Sequence, residues 1–299
     1  MTKTVFLAGL VALALGTEAR AAGEETPHPP QLSWSFSGIF GTFDRAQLQR
    51  GFKVYRESCQ NCHSLKRVYF RNLSQPGGPE FSQGQVRALA AEYKVQDGPN
   101  DAGEMFERPG RAADTFPPPF PNENAAAAAN GGKAPPDLSV IAKARTYERG
   151  FPWFILDVLP IPGLMYQENG PDYVAALLDG YVEPPADAPP VPPGGHYNRY
   201  YPGHIIAMPK PLNDGQIEYP KGEDGQPVVP ETVAQYAKDV TAFLMWTAEP
   251  HLEARKRIGF KVILFLLLLA GLLYFTKKKI WDQVGGDPVG LLPEGEQRH

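Results

Sequence analysis

At 299 residues the chain has room for one or two domains, and its formal charge of −4 argues against a nucleic-acid binder. Its 32 prolines and 30 glycines, about a fifth of the residues, predict long irregular segments between few regular elements. No internal repeat is apparent.

Met1 to Ala22 opens with one basic residue, Lys3, runs through the apolar Val5–Leu15 and ends in small residues. This is the pattern of a cleaved export signal, with processing near Ala19–Ala22 or at Ala22–Gly23. The apolar run is too short to span a bilayer. Gln31–Thr42 follows as an aromatic entry segment carrying Trp34, Phe36 and Phe40. Asp44 with Gln47 three residues on has capping-box spacing. Leu48, Phe52 and Tyr55 then recur at helical spacing, so an amphipathic helix delivers the chain to Cys59.

Cys59-Gln60-Asn61-Cys62-His63 contains both cysteines of the chain. The spacing C-x-x-C-H is that of a c-type haem attachment site, in which two thiols form thioethers with the porphyrin and the histidine binds iron. A redox dithiol calls for a βαβ context that is not visible here. A zinc site calls for a second ligand pair that does not follow. A plain disulfide between the two cysteines stays open as the alternative. An exported start agrees with covalent haem, and haem would supply much of the core of a loop-rich chain.

Further helices are expected at Ser82–Tyr93, at Ala125–Ala129 up to Gly131–Gly132, and at Tyr173–Leu178 between Pro171 and Gly180. Proline-rich loops, Phe116–Pro121 and Pro184–Gly195, lie between them. From about Pro230, Val233, Tyr236, Val240, Phe243 and Leu244 mark another helix, expected to run on toward the membrane with a bend at Pro250. Ile258–Phe275 is almost wholly apolar, and its eighteen residues would cover about 27 Å as a helix. Lys261 can snorkel to the interface, while Tyr274 and Trp281 suit interfacial anchors. Basic triplets flank both ends, so the export signal decides the orientation, with the tail after Trp281 cytoplasmic.

A haem iron held by His63 needs a sixth ligand or stays open for chemistry. Candidates are Met105, Met165, Met208 and Met245, with His28, His196, His204 and His251 as alternatives. Met208 is favoured by its setting, Ile205-Ile206-Ala207-Met208-Pro209-Lys210-Pro211, where two prolines hold the loop extended. His204 is its main rival. Met245 lies on a helical stripe and reads as core, and Met105 has polar neighbours and reads as surface.

Several blocks in addition to the haem motif resemble the cytochrome c1 family. They are Arg50–Tyr55, Val95–Asn100, Glu104–Phe106, Ala134–Ser139, Tyr200–Gly203, Ile206–Pro209, Asp239–Trp246, Ala248–Pro250 and Arg255–Lys256, in family order. The resemblance implies a mainly α fold with long irregular loops, a cytochrome c-like haem domain plus one C-terminal transmembrane helix. It divides the chain into a signal at 1–22, a periplasmic haem domain at 23–250, a transmembrane helix with flanks at 251–281 (span about 258–275), and a cytoplasmic tail at 282–299. It also implies one haem c on Cys59 and Cys62, with His63 and Met208 as axial ligands. Arg145 would meet a propionate, and Tyr173 and Pro136 would lie beside the haem.

The implied protein is an electron carrier of a dimeric bc1 complex in a bacterial inner membrane, not catalytic alone. Its implied partners are cytochrome b, a Rieske iron–sulfur protein, a cytochrome c acceptor and membrane lipid. Asp179, Glu183 and Asp187 could steer a basic cytochrome. The competing reading is a membrane-anchored c-type haem enzyme with an open sixth site. A haem sensor is disfavoured because the segment after Lys279 is too short for an output domain.

Overall fold

In the computed structural model the described residues are 28–147, 169–186, 188–223 and 225–282. The expected signal, Met165, Asp187, the rest of 148–168 and nearly all of the tail lie outside them.

The aromatic entry segment closes on itself: the Ser37 N–H donates to the Trp34 carbonyl (3.1 Å) and the Thr42 N–H to the Ser35 carbonyl (3.0 Å). Trp34 and Phe36 are buried, and Asp172 accepts from the Trp34 indole at 2.7 Å. Asp44 then caps α1 (Arg45–Val54), accepting from the Gln47 N–H. Only half of the expected capping box forms. The Gln47 amide donates instead to Asp239 (3.1 Å), and the Asp44 N–H turns to Ser35 Oγ (3.2 Å). A buried carboxylate needs every donor within reach, which outweighs a local cap on an exposed helix end. A π-helical turn, Tyr55–Cys59, carries α1 into the cysteine motif; such turns recur where a helix must place functional side chains.

A 3₁₀ turn (Phe70–Ser74) precedes α2 (Gln83–Ala91), which has a complete capping box between Ser82 and Gln85. Strands β1 (Lys94–Asp97) and β2 (Phe106–Pro109) form an antiparallel hairpin, Lys94 opposite Pro109 and Asp97 opposite Phe106. Arg108 clamps it, donating to Asp114 at 2.6 and 2.9 Å and also pairing with Asp97.

The Arg108 bonds hold the Asp114 carboxyl at about 2, against the opposing effect of desolvation. An unfolded aspartate titrates near 3.9. The clamp is therefore at full strength above about pH 4 and is lost as pH falls through about 2. Hydrogen exchange of the β1 and β2 amides, corrected for intrinsic rate, should show that loss between pH 5 and 2. Arg108→Gln should remove the pH dependence.

Helix α3 (Glu123–Ala129) ends before Gly131–Gly132 as expected, and α4 (Ile141–Ala144) is a single turn. Helix α5 (Asn169–Asp179) starts two residues earlier than the Pro171 boundary, since proline is tolerated in a first turn where its missing N–H has no helical partner. The pair β3 (His196–Tyr197) and β4 (Ile205–Ile206) closes a short antiparallel loop. Helix α6 (Val233–Ala248), capped by Thr232, is the central element, with α1, α4 and α5 packed on it.

At the α1–α6 crossing a Cβ on Gly51 would lie 2.0 Å from the Asp239 carbonyl oxygen and 2.8 Å from Phe243 Cβ, so only glycine permits this approach. Beside it the Asp239 side chain is 0% exposed. It accepts from Arg50 Nε (2.8 Å) and from the Gln47 and Gln235 amides (3.1 and 2.9 Å). Phe52, Tyr55, Phe70, Phe116, Phe243 and Trp246 fill the core around this contact.

The expected continuous helix from α6 into the apolar span does not occur. Helix α6 ends at Ala248 and α7 (Leu252–Asp282) begins after a break at Glu249–His251. Glu249 has left the helical region (φ −145°, ψ 69°), since steric conflict with the Pro250 ring disfavours a helical conformation for the preceding residue. Ion pairs fix the joint. Glu249 meets Lys143 and Arg255, and Glu253 accepts from Arg45 at 2.8 and 3.0 Å and from the Phe43 N–H at 3.0 Å. The apolar window of α7 has a mean hydropathy of 2.4 and none of it is buried.

Candidate functional site

Cys59 ends the π-helical turn, and its carbonyl accepts from both the Cys62 N–H (3.2 Å) and the His63 N–H (2.9 Å). One tight turn therefore presents both thiols and the imidazole. The two cysteines are free thiols and not a disulfide, Cys59 half-buried and Cys62 exposed. Desolvation, reinforced by Cys62, pushes the Cys59 thiol up to about 12, so it is protonated at neutral pH.

His63 Nδ1 lies 2.8 Å from the Pro136 carbonyl. A carbonyl only accepts, so Nδ1 carries the proton and Nε2 is left with its lone pair for a metal. Burial lowers the imidazole pKa further than the Pro136 bond and Asp137 raise it, which favours the neutral, ligating form. Pro136 thus orients His63 through its backbone.

The same segment is zipped to the motif by Asp137, part of the Ala134–Ser139 block. Its carboxylate accepts from Ser64 Oγ and the Lys66 N–H, both at 2.8 Å, and from the Ser139 N–H at 2.9 Å. The Leu138 N–H donates to the Ser64 carbonyl (2.9 Å), and the Arg67 N–H to Ser139 Oγ (3.1 Å). Burial alone would raise the Asp137 pKa, but these donors bring it below the ordinary carboxylate value. The Asp-x-Ser spacing, a common turn signature, was the available signal.

Met208 follows β4, half-buried and packed against the core cluster that Cys59 also touches. Tyr181 Oη donates to its carbonyl at 3.0 Å. Asn198, fully buried, organises the preceding turn: its Oδ1 accepts from the Tyr200 and Tyr201 N–H groups, and its Nδ2 donates to the Leu177 carbonyl of α5. Neither residue stood out in the sequence, because the Tyr181–Met208 and Asn198–Leu177 bonds go to backbone carbonyls more than twenty residues away.

The rivals of Met208 have other surroundings. His204 is buried in the turn at φ +58°, stacked on Tyr197 with ring centroids 5.5 Å apart. Met245 is core and Met105 is exposed, both as expected. His196 lies in β3, His251 is exposed at the α6–α7 joint, and His28 packs against Tyr147. Arg145 caps α4, exposed, while Tyr173 is buried in α5. The structure brings these two near each other. Burial pushes the Tyr173 hydroxyl up, Tyr201 adds to this, and the Arg145 charge opposes it.

A neutral imidazole with one committed nitrogen, two thiols on the same turn, a half-buried thioether and an exposed guanidinium fit a covalently held haem with propionates. A groove of about 780 Å³ between α1, α2 and Pro220–Val229 contains none of these residues.

Residues 34–284 match the Cytochrome C1 family. The chain belongs to the cytochrome c1 family. It is 61% identical to the cytochrome b/c1 of Bradyrhizobium diazoefficiens over 90% of its length, although it spans only 38% of that longer protein. It is 47% identical to cytochrome c1 of Blastochloris viridis, with 91% and 92% of the two chains covered. Against cytochrome c1 of Rhodospirillum rubrum the identity is 43%, with 95% and 98% covered. Membership makes this a haem-bearing electron-transfer subunit of a bc1 complex, anchored to a membrane, with α7 as its one sufficiently long apolar helix among the described residues. The mainly helical fold with long loops is as the sequence implied.

Proposed function

We propose that the chain takes one electron from a Rieske iron–sulfur protein and passes it to a cytochrome c, beside cytochrome b in a dimeric bc1 complex. Haem c supplies the one-electron iron couple. Cys59 and Cys62 would hold it covalently, His63 and Met208 would ligate its iron, Arg145 would neutralise a propionate and Tyr173 would pack beside it. With His63 and Met208 both as ligands the iron would be closed to substrates, and methionine–histidine ligation would keep its potential high. The domain boundaries follow: a cleaved 1–22 signal, a periplasmic haem domain at 23–250, a span of about 258–275 in contact with lipid, and a cytoplasmic tail at 282–299.

The observation that carries this reading is the His63–Pro136 bond. It leaves one ligating nitrogen on the histidine of a C-x-x-C-H turn whose thiols are free. A denaturing gel stained for haem should show pigment on this chain, and its loss in a Cys59→Ala/Cys62→Ala variant. The reduced intact protein should give a low-spin spectrum unaffected by carbon monoxide. Ready carbon monoxide binding would favour an enzyme with an open sixth position and overturn the carrier reading.

A further inference from the structure

The entry segment holds two apolar side chains that the haem domain does not use. Of its aromatics, Trp34 and Phe36 are buried, whereas Phe40 is 76% exposed and its neighbour Ile39 is 48% exposed. They sit at the tip of a braced loop. The Thr42-to-Ser35 backbone bond closes its base, and Gly41 allows the tight return, since a Cβ there would lie 2.1 Å from the Ser37 carbonyl oxygen. Lys256, in the second turn of α7, ties the loop to the anchor helix by donating to the Phe36 carbonyl and, at 3.3 Å, to the Gly41 carbonyl.

This brace places the tip against the start of the apolar span. The Phe40 ring meets the Phe260 ring edge-on, with centroids 5.7 Å apart and planes at 64°. Phe260 lies two residues inside Ile258, about 3 Å along the helix axis from the start of the apolar run. The exposed apolar surface of Ile39 and Phe40 is therefore continuous with the lipid-facing belt of α7 that begins with Ile258, Phe260 and Val262. Arg257, exposed beside them, places a cation at headgroup level. Isolated exposed apolar residues are ordinary on a soluble domain. Two on a cross-linked tip in ring contact with a membrane helix form a directed surface.

We propose that the Ser37–Thr42 loop is a second membrane contact of this subunit, with Ile39 and Phe40 inserted into the headgroup–acyl boundary beside the first turns of the span. The inference rests on the membrane anchoring of α7 and not on the haem ligands. Together with α7 it gives the haem domain two points of attachment, which fixes its rotation about the helix axis.

The test is a nitroxide label on Phe40→Cys in the assembled bc1 complex in phosphatidylcholine nanodiscs, with Ala102→Cys on an exposed distant loop as the aqueous control. The unsubstituted protein must take up no label, which separately checks that Cys59 and Cys62 are occupied, and the haem spectrum reports that each variant folds. Power-saturation measurements should show the label at position 40 colliding with oxygen several-fold more than with a water-soluble nickel chelate, the reverse of position 102. Chelate accessibility equal to that of position 102 would overturn the proposal. So would an immobilised label reached by neither relaxant, which would mean that a neighbouring protein covers the tip.

Discussion

Replacing Met208 with Leu is expected to lower the midpoint potential by on the order of 0.1–0.2 V, a fraction of the ~0.8 V range that axial ligands span. It is also expected to let carbon monoxide onto the reduced iron. Leucine nearly conserves the volume of methionine, so the local packing survives. The loop keeps its position because the Tyr181 bond goes to the Met208 backbone carbonyl and the Asn198 bonds go to backbone N–H groups and the Leu177 carbonyl. What disappears is the thioether alone. A redox titration and a carbon monoxide difference spectrum read the two effects together. An unchanged potential with no carbon monoxide binding would move the sixth ligand to another residue, with His204 the first to test.

Gly51→Ala is expected to cost about 3–5 kcal/mol of stability. The added methyl would sit 2.0 Å from the Asp239 carbonyl, and a helix backbone cannot rotate aside as a side chain can. Relief requires α1 and α6 to separate, and that separation pulls Arg50 from a carboxylate with no exposure to solvent. Overpacking alone costs 1–3 kcal/mol, and breaking a buried ion pair about 3–5 kcal/mol. For a chain of this size the melting temperature should fall by roughly 10 °C. Gly84→Ala, where the nearest contact to an added Cβ is Ser82 Oγ at 3.9 Å, should instead be neutral or stabilising by up to about 1 kcal/mol. Equal melting temperatures for the two variants would mean that the crossing is not close-packed in solution.

Local signals in the sequence were read with most success. Helical spacing located α1, α2 and α6, and the C-x-x-C-H turn needed no tertiary information. The readings that failed involved groups far apart in the chain. Gln47 was assigned to its own helix cap, but the buried Asp239 nearly two hundred residues away is the stronger attractor. The α6–α7 break was read as a bend, because apolar residues continue on both sides and only the Lys143–Glu249–Arg255 and Arg45–Glu253 pairs show that the joint is a built feature. Pro136 acts through a carbonyl, which every residue has, so its side chain could not have marked it. Asn198 and Tyr181 act through their side chains, but on backbone groups, which leave no mark of the pairing in the sequence.

The Asp137 zip also has a topological consequence. It joins Ser64 and Lys66 to a residue some seventy positions on, so it closes a large loop containing α2, the β1–β2 hairpin and α3. The entropy of such a closure grows only with the logarithm of its length. Ten residues inserted at the exposed Asp101–Gly103 turn would add about 0.1 kcal/mol to the cost of closing it. The loop can therefore lengthen or change its outward face while the Pro136 carbonyl keeps its place on His63. That outward face can diverge in length without moving the His63 imidazole.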